Sequence, residues 1–126
     1  MKSSIIEKQF NLSFDAVFNA IKKNVVSNGF ILLHEIDTQN IVSKYNIAIG
    51  PLRQLLFFHP KYIQTIVTED KLAINEIPIK VVIIENQDKS VSVSFPNPMV
   101  TLSDYDIKKE MAVELLNRIN TVLTIK

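Results

Sequence analysis

The sequence predicts a single α+β domain in which one sheet, mixed or antiparallel, is covered mainly on one face by helices. Three observations lead to this prediction. Two long apolar helical stripes lie towards the two ends of the chain, three strand-like blocks lie between Pro51 and Pro98, and a short polar turn joins the last two blocks. The order of elements is β-α-β-α-β-α-β-β-α, and a hairpin late in such an order is typical of an α+β sandwich.

The first strand and the first long helix are predicted from residues 5–29. Residues 5–10 are strand-like, and Ser13 is a suitable N-cap for the helix that follows. Asn28 and Gly29 end this helix, because glycine tolerates a left-handed backbone. Apolar residues recur along the helix at intervals of three or four, at Phe14, Val17, Phe18, Ile21 and Val25.

The middle of the chain alternates strands with shorter helices. Residues 30–36 predict a second strand, and Asp37 can cap a short helix. Residues 52–58 predict a third strand, and His59 with Pro60 predict a helix start, since proline suits the first helical turn. The short helix after Asp37 has an inner face predicted at Ile41, Val42 and Tyr45.

The clearest hairpin is predicted between residues 79–84 and 91–95. The first segment is apolar on both faces apart from Lys80, which suggests that the second face lies in an interface or is buried. The second segment alternates serine with apolar residues, which implies one face in water. The polar turn between them, residues 86–89, fits a tight connection.

The last helix is predicted to begin at Ser103 or Asp104. Its apolar stripe comprises Ile107, Met111, Leu115, Ile119 and Val122. No linker, repeat or low-complexity segment divides the chain, so residues 1–126 are predicted to be one domain.

Composition excludes several classes of function. The net charge is +1 and there are two arginines, which argues against a nucleic-acid-binding protein. There is no cysteine, so thiolate nucleophiles, thiolate metal sites and disulfides are excluded. No apolar segment has the length of a membrane span or the character of a signal peptide, so a cytoplasmic protein without membrane contact is expected.

The two histidines are candidates for chemistry. His34 lies in a predicted strand with no suitably spaced ligands, so no metal site is predicted. His59 lies between an apolar strand and a helix start, where binding groups are often presented. It is either a general base active at neutral pH or a helix-start residue facing solvent.

Two cations on apolar strands and one asparagine complete the candidate set. Arg53 and Lys80 either hold a carboxylate or phosphate group, or place their charges in water or against Glu76 or Glu85. Asn97, between two prolines, is either a turn residue or one wall of a pocket. A ligand site formed by Arg53, His59, Lys80 and Asn97 is the sequence-based hypothesis.

Four motifs in consistent order, the first made of two segments, carry a family resemblance. They resemble domain of unknown function family 302 (DUF302) over nearly the whole chain. The resemblance implies a small α+β fold similar to the TATA-binding-protein-like sandwich, and a homodimer, but no established activity. The segments are Asn11-Leu-Ser-Phe-Asp-Ala-Val17 with Asn28-Gly-Phe-Ile-Leu-Leu-His-Glu-Ile-Asp37, Arg53-Gln-Leu-Leu-Phe-Phe-His-Pro60, Ile77-Pro-Ile-Lys-Val-Val-Ile-Ile-Glu85 and Val91-Ser-Val-Ser-Phe-Pro-Asn-Pro98.

The chain departs from its relatives at positions that could carry chemistry. Many relatives have glycine and asparagine where this chain has Phe58 and His59. One branch has cysteines at the positions of Phe58 and Ile79, and another has a histidine at the position of Thr38. The resemblance therefore transfers no thiol or metal ligand to these positions, and Phe58 is expected to fill space that a glycine leaves open.

Two functions remain open from the sequence. The first is a non-enzymatic dimeric ligand-binding or interaction module, favoured because no catalytic motif or glycine-rich phosphate loop is present and no cofactor is implied. The second is a small enzyme or metabolite sensor that binds a small anionic molecule with His59, Arg53 and Lys80. The second requires these side chains to lie around one pocket.

Overall fold

A computed structural model describes residues 4–125. The first three residues and the last residue of the predicted domain, 1–126, lie outside the described residues. No helix in this range is long and apolar enough to cross a bilayer. The elements in chain order are β1 (Ile5–Phe10), α1 (Phe14–Ser27), β2 (Ile31–Asp37), α2 (Thr38–Ser43), β3 (Leu52–Phe58), α3 (Pro60–Glu69), a 3₁₀ helix (Lys71–Glu76), β4 (Ile79–Glu85), β5 (Val91–Pro96), α4 (Pro98–Thr101) and α5 (Lys109–Val122).

The five strands form one sheet in the order β1-β5-β4-β3-β2, and every neighbouring pair is antiparallel. The predicted α+β class and order of elements are confirmed. The predicted hairpin is β4–β5, with Ile83 opposite Val93. Because adjacent strands run in opposite directions, the end of β3, the start of β4 and the end of β5 meet at one edge of the sheet.

Helices α1 and α5 cover one face of the sheet and form the core with it. Leu55 and Phe57 of β3 and Val81 of β4 are fully buried on this face. Strand residues alternate between faces, so every second side chain points at the helices. The helices contribute the stripes that the sequence predicted, including Val17, Ile21, Leu115, Ile119 and Val122.

The opposite side of the sheet, here called the open face, has no comparable layer over it within residues 4–125. Leu56 and Val82 are half-buried and Ile84 is 37% exposed, whereas their neighbours on the helix side are fully buried. The register aligns side chains of β3, β4 and β5 on this face, namely Leu52, Gln54, Leu56, Lys80, Val82, Ile84, Ser92 and Ser94. The face of β5 that was expected to lie in water is only partly exposed. Ser92 on this face is buried and accepts a hydrogen bond from Asn86 Nδ2 at 2.9 Å.

Helix ends follow the predicted local chemistry. Ser13 Oγ accepts a hydrogen bond from Ala16 N at 3.1 Å, and Asp37 Oδ1 accepts one from Asn40 N at 3.0 Å. Gly29 follows α1 with a φ of 84°, the left-handed conformation for which glycine was predicted.

Two predictions about the helices are wrong. The last helix begins at Lys109, whereas Ser103 and Asp104 lie in a turn. A short helix, α4, precedes that turn, because Asn97 Oδ1 caps it through Met99 N at 3.0 Å. The predicted inner face of α2 is not buried either: Ile41 is 47% exposed and Tyr45 is 74% exposed.

Replacing Lys89 with glycine is expected to stabilise the protein. Lys89 lies in the β4–β5 turn with a φ of 73°, a conformation that costs a residue with a Cβ about 1–2 kcal/mol. Part of the gain is offset by the greater freedom of glycine in the unfolded chain, so a net gain of about 0.5 kcal/mol is expected. Urea denaturation measures it as a raised midpoint at unchanged slope.

The control is Lys89→Ala, which keeps the strained backbone and loses the exposed ion pair between Lys89 Nζ and Glu85 Oε1, 3.4 Å long. That variant is expected to show no gain, since exposed pairs contribute little. Equal gains from both variants would contradict the explanation by backbone strain.

Candidate functional site

Three proline-containing segments meet at one edge of the sheet. His59 and Pro60 follow β3, and Pro78 precedes β4. Residues 96–98 end β5 and begin α4. Phe57 lies opposite Ile79, so the antiparallel register places these segments side by side. We call this edge, formed by residues 59–60, 77–78 and 96–98, the proline edge.

A cavity of about 180 Å³ lies at the proline edge. Its apolar lining comes from the core side chains of α5 and from the prolines of the edge, and its polar lining comes from four residues. The peptide bond between Ile77 and Pro78, which both line it, is cis. The lining residues are Asn75, Glu76, Ile77, Pro78, Ile79, Lys80, Pro96, Pro98, Thr101, Leu102, Leu115 and Ile119.

The two charged residues of the cavity differ in their partners. Glu76 Oε2 accepts a hydrogen bond from the Tyr105 hydroxyl at 2.8 Å, and this bond raises the pKa of Tyr105. Lys80 is exposed and forms no ion pair with any of the residues that the structure describes. Lys80 is therefore a cation beside an apolar cavity, and its charge is available to a ligand.

Asn97 is held by backbone interactions at the same edge. Besides capping α4, it donates a hydrogen bond from its backbone nitrogen to Ser4 O at 2.8 Å. Its two neighbours, Pro96 and Pro98, both line the cavity. Asn97 is thus a turn and cap residue that positions the cavity wall, which combines the two roles that the sequence left open.

A second polar group, the His59 cluster, lies on the helix side of the proline edge. It consists of His59, Lys61, Tyr62, Glu114 and Arg118. The Tyr62 hydroxyl donates to Glu114 Oε1 at 3.0 Å and accepts from Arg118 Nε at 2.8 Å. Lys61 Nζ also binds Glu114 Oε1. Tyr62 is 4% exposed, and its hydrogen bonds to Glu114 and Arg118 connect α3 to α5.

The network changes the acidities of its members. Burial, followed by the hydrogen bond to Glu114, raises the pKa of Tyr62. The hydrogen bonds from Lys61 and Tyr62 lower the pKa of Glu114. At neutral pH the cluster therefore contains a neutral phenol and an ionised carboxylate between two cations.

His59 is the N-cap of α3, a position at which its ring nitrogen replaces the usual side-chain oxygen. His59 Nδ1 accepts a hydrogen bond from Lys61 N at 3.1 Å, so this nitrogen carries no proton. Nε2 lies 3.5 Å from Arg118 Nη1, and a Cβ placed on Gly29 would lie 2.8 Å from the same atom. Burial, followed by the charges of Arg118 and Lys61, lowers the pKa of His59.

The stability of the protein is expected to fall on mild acidification because of His59. Its pKa is lowered in the folded state from 6.5, so between these two values the unfolded chain binds the extra proton. The contribution of the neutral His59 ring to the free energy of unfolding is complete above pH 6.5. It is lost as the pH falls towards the lowered pKa of His59 in the folded protein. Urea denaturation at a series of pH values measures this slope.

The control for this pH dependence keeps the cap. His59→Asn retains a capping side chain that does not titrate, so its slope between neutral pH and pH 5 is expected to be smaller than that of the unmodified protein. An unchanged slope in His59→Asn would show that another group is responsible.

Arg53 lies elsewhere. It is near the start of β3, where its guanidinium Cζ is 4.6 Å from the Phe18 ring centroid. It also pairs with Asp37 at 3.6 Å and with Glu35 at 3.9 Å. The alternative that it pairs with Glu76 or Glu85 is wrong. Its contacts join α1, β2 and β3, which is a structural role.

The four residues of the sequence-based site are therefore not brought to one pocket. Lys80 and Asn97 lie at the cavity of the proline edge, and His59 lies at the same edge but against α5. Arg53 is six residues from His59 along an extended strand, which corresponds to about 20 Å. The sequence does not predict Tyr62, Glu114 and Arg118 as partners of His59. The only local signal was that two of them, four residues apart on α5, form an ion pair of 3.7 Å.

Fold and edge together define a class: a two-layer α+β domain with one open sheet face and a small end cavity. The family model for "Domain of unknown function DUF302" matches residues 6–125. The chain belongs to the DUF302 family, as its motifs indicated.

The fold is also found among solved structures. The crystal structure of uncharacterized conserved protein DUF302 from Bacillus stearothermophilus has a TM-score of 0.86, with 97% of each chain covered at 14% identity. At this identity the likeness concerns the fold alone. No curated protein matches the chain.

Proposed function

We propose that the chain is a non-enzymatic module that forms a homodimer through its open face and binds a small molecule at the proline edge. The observation that carries the dimer is a group of apolar side chains on a sheet surface that no helix covers within residues 4–125. Leu56, Val82 and Ile84 are aligned there on two central strands. Exposed apolar patches of this kind mark interaction sites.

The size of the open face fits a second copy of the chain. Five strands spaced about 4.8 Å apart, with about 3.3 Å per residue, span roughly 24 by 20 Å. Two such faces together approach the roughly 1,000 Å² needed for a specific interface.

The experiment that tests the dimer is sedimentation velocity across a micromolar concentration series. The expected result is a dimer that dissociates on dilution, since association follows mass action. A monomer at every concentration would contradict the proposal.

The non-enzymatic part is supported by the surroundings of His59. Its Nδ1 is occupied by the cap of α3, and its Nε2 faces Gly29 and Arg118. His59 is not among the residues that line the cavity. The alternative, an enzyme or sensor with His59, Arg53 and Lys80 around one anion, loses support because these side chains lie apart. What remains of it is an anion site at Lys80.

A further inference from the structure

We infer that the cavity at the proline edge binds a small carboxylate that has one compact apolar group, with the group inside the cavity and the carboxylate against Lys80. This inference rests on the ligand-binding part of the proposed function and names its ligand class. It does not depend on the dimer.

The floor of the cavity sets the apolar half of the ligand. Leu115 is 2% exposed and Ile119 is fully buried, so the inner wall is made of core side chains. Leu102 and Ile79, at 3% and 8% exposure, continue this wall. An apolar group placed there is removed from water, which contributes about 25 cal/mol per Å² of surface buried.

The volume limits the apolar half. A cavity of about 150 Å³ lined by aliphatic side chains accommodates benzene. At about 180 Å³, this cavity takes one ring or a short branched chain but no fused ring system. The prolines at positions 78, 96 and 98 make this part of the cavity wall stiff, so little ordering of the backbone is required on binding.

The charges of Lys80 and Glu76 determine which polar group the ligand carries. Lys80 has no ion partner among the described residues, whereas Glu76 accepts the Tyr105 hydroxyl. An acid therefore finds a free cation, while a base would compete with Tyr105 for the carboxylate. Asn75 and Thr101, also in the lining, add hydrogen-bonding groups beside the two charges.

The test compares three probes of equal ring size: benzoate, benzyl alcohol and benzylamine. Isothermal titration calorimetry with the full chain is expected to give affinities in the order benzoate, benzyl alcohol, benzylamine. Backbone amide shifts on adding benzoate are expected to concentrate at residues 77–80 and 101–102. An absence of benzoate binding overturns the inference, and so does tighter binding of benzylamine, which would assign the site to a cation at Glu76.

Three variants locate the contributions. Lys80→Gln is expected to weaken benzoate about fivefold and to leave benzyl alcohol unchanged, because only the ion pair is lost. Thr101→Leu, which adds apolar volume to the lining of the cavity, is expected to weaken both probes. Lys8→Gln, on the exposed part of β1, is the control and should change neither. Equal benzoate affinity in Lys80→Gln and the unmodified chain overturns the role of Lys80.

Failure of this inference can be told apart from failure of the proposed function. A chain that sediments as a monomer and binds benzoate retains the ligand site and loses the dimer. A dimer that binds none of the three probes keeps the interaction module and loses the inference about ligand class.

Discussion

Replacing Gly29 with alanine is expected to lower the free energy of unfolding by about 2 kcal/mol. Gly29 has a φ of 84°, which costs a residue with a Cβ about 1–2 kcal/mol. The new Cβ would also lie 2.8 Å from His59 Nε2. The ring cannot turn away freely, because it caps α3 and packs edge-on against Phe30 and Tyr62 at 5.4 and 5.5 Å. Urea denaturation measures the loss.

Two further variants separate the strain from the contact. Gly50→Ala is the matched control, since a Cβ there meets nothing within 4 Å, and no loss is expected. In a His59→Asn background the shorter side chain removes the contact, so the cost of Gly29→Ala is expected to fall to about 1 kcal/mol, the part due to φ. A full cost in that background would show that His59 does not restrict the position.

Replacing Val82 with glutamate is expected to abolish the dimer. Val82 lies at the middle of the open face, between Gln54 and Ser94 on the neighbouring strands. In a monomer the glutamate reaches water, but in the proposed dimer it is buried without a partner, at a cost of several kcal/mol. A loss of about 3 kcal/mol raises the dimer dissociation constant at least about 100-fold. Sedimentation velocity measures it.

The matched control is Val67→Glu, the same substitution at a valine that is 53% exposed on α3, in the helical layer. It is expected to leave both association and folding unchanged. If Val67→Glu weakens the dimer and Val82→Glu does not, the interface lies on the helical layer rather than on the open face.

Features set by a few neighbouring residues could be predicted from the sequence. The caps Ser13 and Asp37, the end of α1 at Gly29 and the β4–β5 hairpin are local, and all are confirmed. The start of α5 was predicted too early, because Asn97 and Pro98 begin a separate short helix before it. The apolar pattern alone does not show this break.

The contacts of the candidate site join residues that are far apart in sequence and close in space. His59 meets Arg118, and Tyr62 meets Glu114, because α3 packs against α5, although the residues of each pair are more than fifty positions apart in sequence. Lys80 and Arg53 look alike as cations on apolar strands, yet alternation and register put them on opposite faces. The partners of each could be read only from the assembled sheet.

The most direct test of the proposed interface is an isotope-filtered NOE experiment on a mixture of methyl-labelled and unlabelled chains. Contacts between copies are expected for the methyl groups of Leu56, Val82 and Ile84 on the open face. If the chains form dimers but the contacts between copies arise from α3 or α5 and none from these three residues, the open face is not the interface.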